Sequence, residues 1–148
     1  MDTLQCAIVL AKLERFDWEV EQRLAIGERY NQLIDEANIR RVVQREDRTS
    51  VFAQYTILVD SRDNIRKKLL EKDIPTAVHY PLSLHKQVAF QHPELDNLTK
   101  SHHAESCVMS LPIGPYIQSI QQSDIVASVE AAVLDGSNSG SIQSEQLN

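Results

Sequence analysis

The sequence predicts an α/β chain of α+β type, in which a small sheet is packed by helices and preceded by a long N-terminal helix. Three observations predict it. SVFAQYTILV, residues 50–59, alternates as a half-buried strand does; the stretch after it repeats apolar residues at helical spacing until Pro75; and both ends of the chain carry further helical periodicity. On this pattern residues 1–36 form a helical segment, 37–134 a small α/β domain and 135–148 a disordered tail.

Asp2 can cap the first helix, with Gln5 three residues on as the return half of a capping box. The helix then reads Leu4, Cys6, Ala7, Ile8, Val9, Leu10, Ala11 and Leu13, apolar nearly all round. Such a helix belongs inside a larger structure. Left uncovered it exceeds what monomers tolerate, so it is expected to pack against a second copy or to fold over its own sheet. After a second cap or kink at Asp17 the pattern turns amphipathic, with Phe16, Val20, Leu24, Gly27, Tyr30 and Leu33 or Ile34 on one stripe. Glu19 and Arg23 form an exposed i,i+4 pair.

In the strand, Val51, Ala53, Tyr55, Ile57 and Val59 share a face. Asp60 or Ser61 caps the next helix, which buries Ile65, Leu69 and Ile74 and turns Arg66, Lys67, Lys68 and Lys72 to water. A short strand through Ala77 and Val78 follows, which makes a βαβ unit with both strands in one sheet and the direction of the second left open. The loop from Pro81 to Thr99 is punctuated by Pro93 and Asp96-Asn97. A short helix spans about Lys100 to Cys107, then a strand VMSLPI and a Gly114-Pro115 turn. Ser119 with Gln122 signals a cap, and Ile125, Val126, Val129 and Val133 mark the buried stripe of a terminal helix. From Gly136 the chain has neither periodicity nor apolar mass.

The 148 residues, 42% apolar and 24% charged, suit one soluble domain. A net charge of −6 argues against nucleic acid, which needs clustered cations on one face. The arginines Arg40, Arg41, Arg45 and Arg48 are interleaved with Glu46 and Asp47 and read as a solvated loop. Cys6 and Cys107 lack CxxC spacing and read as reduced thiols. The apolar run CAIVLA is far short of the ~20 residues that cross a bilayer, and no basic leader precedes it. A soluble, cytoplasmic chain is expected, with no membrane partner.

The stretch PTAVHYPLSLH, rich in His, Tyr and Pro, is the candidate site. His79, His85, His92, His102 and His103 match no standard metal-ligand spacing and Cys107 adds a single sulfur, so no metal is expected. Cys107 could pair with His102 or His103 as a nucleophile, but its apolar flanks argue for a buried, inert thiol. Trp18 reads as an edge packing residue.

Three segments in order carry a resemblance: MDTLQCAIVLAKL, IPTAVHYPLSLHKQVAF and ESCVMSLPIGPYIQSIQQSDIVASV. Together they resemble the C-terminal third of the DegT family of pyridoxal-phosphate-dependent sugar aminotransferases, fold type I enzymes that act on keto sugars carried on nucleotides, with glutamate as the usual amino donor. The resemblance implies the small C-terminal domain of that fold, with the helix at Thr3 to Leu13 packed between two domains. It implies that His79, Tyr80 and Pro81 stand at the mouth of the cleft and help hold the sugar nucleotide, His79 and Tyr80 by hydrogen bonds and Pro81 by fixing the backbone, while His85 supports the loop. Ser83 departs from the pattern, since proline is frequent there, and so does the tail.

The same resemblance places the Schiff-base lysine, the acidic partner of the pyridine nitrogen and the phosphate donors upstream of the segment matching Met1. Lys12, Lys67, Lys68, Lys72, Lys86 and Lys100 fall outside any such motif. The expectation is a truncated or remnant C-terminal domain with no catalytic residue and no cofactor site of its own, inactive in isolation, that meets a sugar nucleotide only when a large domain is supplied. The alternative is a free-standing, non-catalytic α/β domain for self-association or protein interaction.

Overall fold

The computed structural model describes residues 2–90 and 98–142, with the backbone alone considered from 137 to 142. The expected loop signals Pro93 and Asp96-Asn97, His92, and tail residues 143–148 lie outside the described residues.

Helix α1, Thr3–Leu13, starts where Asp2 Oδ1 accepts the Gln5 amide at 2.8 Å. Helix α2, Phe16–Glu36, follows after a break at Glu14 and Arg15, two residues before the expected kink at Asp17. Only Ile26, Gly27, Tyr30 and Ile34 of α2 are buried. Phe16 and Leu24 of the expected stripe are exposed, because the sheet reaches only the C-terminal half of this long helix. Arg23 donates to the Phe52 carbonyl at 3.3 Å, a tertiary contact in place of the expected exposed pair with Glu19.

The sheet has three strands in the order β1 (Arg40–Arg41), β2 (Tyr55–Leu58) and β3 (Val108–Leu111), all antiparallel. β2 is shorter than the alternation suggested. Tyr55, Ile57 and Val59 are buried as expected, but Val51 and Ala53 are exposed, because the chain bends at Phe52 (φ 46°) to lay that ring on α2. Helix α3, Arg62–Leu70, has Ser61 in the capping position with no side-chain cap bond. Ala77 then bridges Ser110 of β3 through Ser110 N–H to Ala77 O at 2.8 Å and Ala77 N–H to Ser110 O at 3.1 Å. β2 and Ala77 therefore flank β3 on opposite sides and both run against it, which makes them parallel to each other. The expected β-α-β crossover exists, with β3 inserted between its arms.

Helix α4, Thr99–Cys107, runs directly into β3. Helix α5 spans Ser119–Ile142, past Gly136 where the sequence suggested its end. Its start is closed by Gln121, whose Oε1 accepts the Gln118 amide at 2.9 Å. Gln122, the residue expected in that role, is wholly buried and donates to the Ile26 carbonyl at 2.9 Å.

The core lies between one face of the sheet and three helices. Tyr55, Ile57, Met109 and Leu111 meet Tyr30 and Ile34 of α2, Ile65 and Leu69 of α3, and Ile125, Val126 and Val129 of α5. No residue of α1 is buried. Leu4 is 71% and Leu10 65% exposed, so α1 does not fold over the sheet. The four arginines of the 40–48 segment pair with carboxylates: Arg40 with Asp60, Arg41 with Asp35 in a two-pronged bond at 2.8 Å, and Arg45 and Arg48 with Asp47.

Candidate functional site

Side chains alternate across a strand, so a sheet whose one face is core turns every second residue to the other face. In β3, Met109 and Leu111 enter the core, while Val108 and Ser110 face away from it. Ser110 Oγ lies 3.0 Å from Thr56 Oγ1 and 3.4 Å from His79 Nδ1. The strand end that delivers His79 is thus pinned twice to Ser110, by its backbone at Ala77 and by its imidazole. Upstream, Arg66 donates to Thr76 Oγ1 at 3.2 Å and fixes the exit from α3.

Beyond His79 the chain forms a strap of two 3-10 turns, Leu84–Lys86 and Val88–Phe90, laid along α4. Strap and helix enclose an open groove of 640 Å³, lined by His79, Tyr80, Ser83 and His85 on the strap side and by Ser101, Glu105 and Val108 on the other, with Leu82, Leu84, Phe90, Leu98 and Ala104 supplying apolar wall. Ser101, Ala104 and Glu105 fall at helical spacing, which is why α4 offers one continuous side to the strap, and Val108, the first residue of β3, continues the wall.

Glu105 is the strap's anchor. Its Oε2 accepts the Ser83 amide at 2.8 Å and its Oε1 pairs with Lys86 Nζ. The Lys86 ammonium first, and the Ser83 amide and side chain with it, hold the Glu105 carboxyl down to about 2. Ser83 Oγ also donates to the Ser101 carbonyl at 3.0 Å. A buried Arg62 reaches the Glu105 carbonyl from α3, satisfying the C-terminal end of α4.

His85 is buried, and its Nε2 lies 2.9 Å from His102 Nε2 with the ring planes within 7°. The centroids are 5.1 Å apart, so the rings meet nearly head-on, and one ring donates N–H while the other offers its lone pair. That geometry is a hydrogen bond; two lone pairs converging on an ion would sit at an angle.

His79, Tyr80 and His85 line the groove, whereas Pro81 is exposed and outside its lining. Tyr80 is 71% exposed and stands edge-on to His79, 5.8 Å between centroids. Sequence reasoning missed Glu105, Ser101 and the His102 partner of His85. Their signal was the face of α4, legible only once the strap is known to lie against it. His103 is exposed on another side of α4. Cys107 is buried with its thiol toward the Ala104 carbonyl, and both cysteines are free. Among the described residues no three His, Cys, Asp or Glu side chains gather as a metal site. Trp18 packs on Tyr116 at 5.6 Å beneath the Arg15 guanidinium, an edge contact as expected.

The residues present do not fit pyridoxal phosphate by themselves. Among the described residues no lysine or arginine lines the groove. Lys86, beside it, is held by Glu105; Lys68 pairs with Asp135; and Lys12, Lys67, Lys72 and Lys100 are exposed.

An antiparallel sheet backed by helices, with this groove beside it, superposes on part of solved aminotransferases. The chain belongs to the DegT/DnrJ/EryC1/StrS aminotransferase family, whose model matches residues 1–130. It is similar to a UDP-2-acetamido-2-deoxy-3-oxo-D-glucuronate aminotransferase of Pseudomonas aeruginosa, 38% identical over 79% of this chain and 32% of that protein. It is also similar to a dTDP-3-amino-3,6-dideoxy-alpha-D-galactopyranose transaminase of Aneurinibacillus thermoaerophilus, 30% identical over 87% of this chain and 36% of that one. Among solved structures, a family aminotransferase from Brucella abortus superposes with a TM-score of 0.80 at 30% identity, over 90% of this chain and 36% of its own. The chain therefore spans about a third of the length of the relatives it matches. Among the described residues no helix is long and apolar enough to cross a membrane.

Proposed function

We propose that this chain is the C-terminal portion of a pyridoxal-phosphate-dependent aminotransferase of keto-sugar nucleotides, and that the groove at His79 is one side of its substrate site. The observation that carries this reading is the convergence on one groove of His79, Tyr80 and His85, three of the four residues the family resemblance singles out, with Pro81 lying outside it. The cofactor supplies the amino-group chemistry when bound, and residues outside this groove would hold it, since among the described residues neither lysine nor arginine lines these walls.

The roles of this chain's side chains are positional. Tyr80 offers a phenol and His79 an imidazole to sugar hydroxyls, with His79 restrained by Ser110. Leu82, Leu84, Phe90 and Leu98 exclude water from one face of the ring. Glu105 keeps the strap on α4, so the groove keeps its shape. On this reading the 148-residue chain does not transfer nitrogen unaided, and it works in the cytoplasm, where nucleotide sugars are made.

The test combines binding and chemistry. The chain mixed with a UDP- or dTDP-linked sugar should bind weakly, and Tyr80→Ala should weaken that binding several-fold further. With pyridoxal phosphate and borohydride no single lysine should be trapped in preference to the exposed ones. Specific trapping of one lysine, or binding indifferent to Tyr80 and His79, would contradict the reading.

A further inference from the structure

The register of the sheet sets Thr56 of β2 opposite Ser110 of β3, with Ala77 bridging Ser110 from the other side. His79 follows Ala77 by two residues, the spacing that keeps a side chain on one face of an extended chain. Three polar groups therefore fall in a line. Thr56 Oγ1 lies 3.0 Å from Ser110 Oγ, which lies 3.4 Å from His79 Nδ1.

Ser110 is 5% exposed, so its hydroxyl is served by these two neighbours and not by bulk water. A hydroxyl carries one proton, so Ser110 donates to one of them and accepts from the other. Run from His79 toward Thr56, the line spends the imidazole proton on Ser110 and sends the Thr56 proton out to solvent. Run from Thr56 toward His79, it uses both hydroxyl protons internally and ends on the Nδ1 lone pair. The neutral ring then carries its proton on Nε2, the form it favours on its own. The contact to Nδ1 is the longer of the two, so it biases the ring between tautomers and does not clamp it.

We infer that Ser110, backed by Thr56, is a positioning residue that holds His79 as the Nε2–H tautomer, so that the groove offers a donor there and favours ligand oxygens that only accept. Carbonyl and phosphate oxygens are of that kind. Tyr80, whose phenol both donates and accepts, makes no such distinction. Which ring nitrogen carries the proton is set by the bond the other one makes, and here that bond belongs to a buried side chain behind the groove. The choice of ligand oxygen rests on the groove being a substrate site, whereas the tautomer is a property of the free chain.

Long-range proton–nitrogen correlation of the imidazoles in the isotope-labelled full chain, at about pH 8.5 where an ordinary histidine is neutral, reads the tautomer directly. His79, assigned by the signals lost in His79→Gln, should show Nδ1 at the shift of a bare lone pair and Nε2 at that of an N–H. Ser110→Ala should move both nitrogens toward the averaged shifts of free histidine. Thr56→Val leaves Ser110 its own proton to give, and should not. Amide shifts unchanged outside the neighbourhood of each substitution check that the variants fold, and the native spectrum decides the tautomer if Ser110→Ala does not. Added UDP should shift Nε2 if a phosphate oxygen takes the bond; a UDP-linked keto sugar should do so where UDP does not if a carbonyl takes it. Nδ1 stays bare in both cases. An Nδ1–H tautomer in the native chain, a folded Ser110→Ala with native His79 shifts, or a ligand that moves the proton to Nδ1 would overturn the inference. The stated tautomer with no ligand effect anywhere in the groove would uphold the hold of Ser110 on His79 and contradict the substrate site instead.

Discussion

Gly27 lies against the ring of Phe52 so closely that a Cβ on residue 27 would fall inside the ring's van der Waals surface. The missing side chain is what lets the 50–54 segment cross α2 before β2 begins. In an exposed helix Gly→Ala is worth about 1 kcal/mol of stability. Here overpacking opposes it. Gly27→Ala should therefore destabilise the chain by about 1–2 kcal/mol in urea unfolding, whereas the same change in a Phe52→Ala background should be neutral or stabilising. Equal effects in both backgrounds would show that the contact does not govern this helix.

Gln122 is a buried amide that ties α5 to α2 through the Ile26 carbonyl, with Arg29 donating to its Oε1 at 3.4 Å. Gln122→Leu keeps volume but strands the Arg29 bond and the carbonyl contact, at a cost of about 2 kcal/mol. Gln122→Glu should cost more at neutral pH than at pH 4, because it buries a carboxylate against a carbonyl oxygen. Stability measured at the two pH values checks the sign.

The strap is predicted to loosen in acid. The Glu105 carboxyl titrates at about 2 in the folded chain against an ordinary 4.5, so its stabilising contribution is complete above about 4.5 and is lost as pH falls toward about 2. Asp35, held down by the Arg41 guanidinium, and Asp63, held down by Arg62, lose theirs in the same direction. The protection of the Ser83 amide, its exchange measured against the intrinsic rate at each pH, should therefore fall across this window. Glu105→Gln should lower that protection at neutral pH and remove its acid dependence, while unfolding of the whole chain keeps the part due to Asp35 and Asp63.

Much of this fold was legible because the periodicities were long or bounded by clear stops. α3 ended before Pro75, α4 and β3 stood where their patterns put them, and Tyr55, Ile57 and Val59 were inside. Two of the departures share one cause: a tertiary partner overrode a local signal. Phe52 left the strand for Gly27, and Gln122 left the helix cap for a carbonyl on α2. Leu24 kept its apolar character but had no sheet above it. The site was half legible. His79, Tyr80 and His85 stood in a conspicuous stretch, but Glu105 and His102 lie 20 and 17 residues beyond His85 on a helix whose side toward the strap carries no apolar stripe.

The groove's role is tested most directly by titrating an isotope-labelled chain with a UDP-linked amino sugar and following backbone amide shifts residue by residue. Saturable shifts confined to 79–85 and 98–108, with His79→Ala and Tyr80→Ala raising the dissociation constant several-fold, are the predicted result. Shifts centred elsewhere, or none up to about 10 mM sugar nucleotide, the weak end of specific affinity, would contradict a substrate site on this face of the sheet.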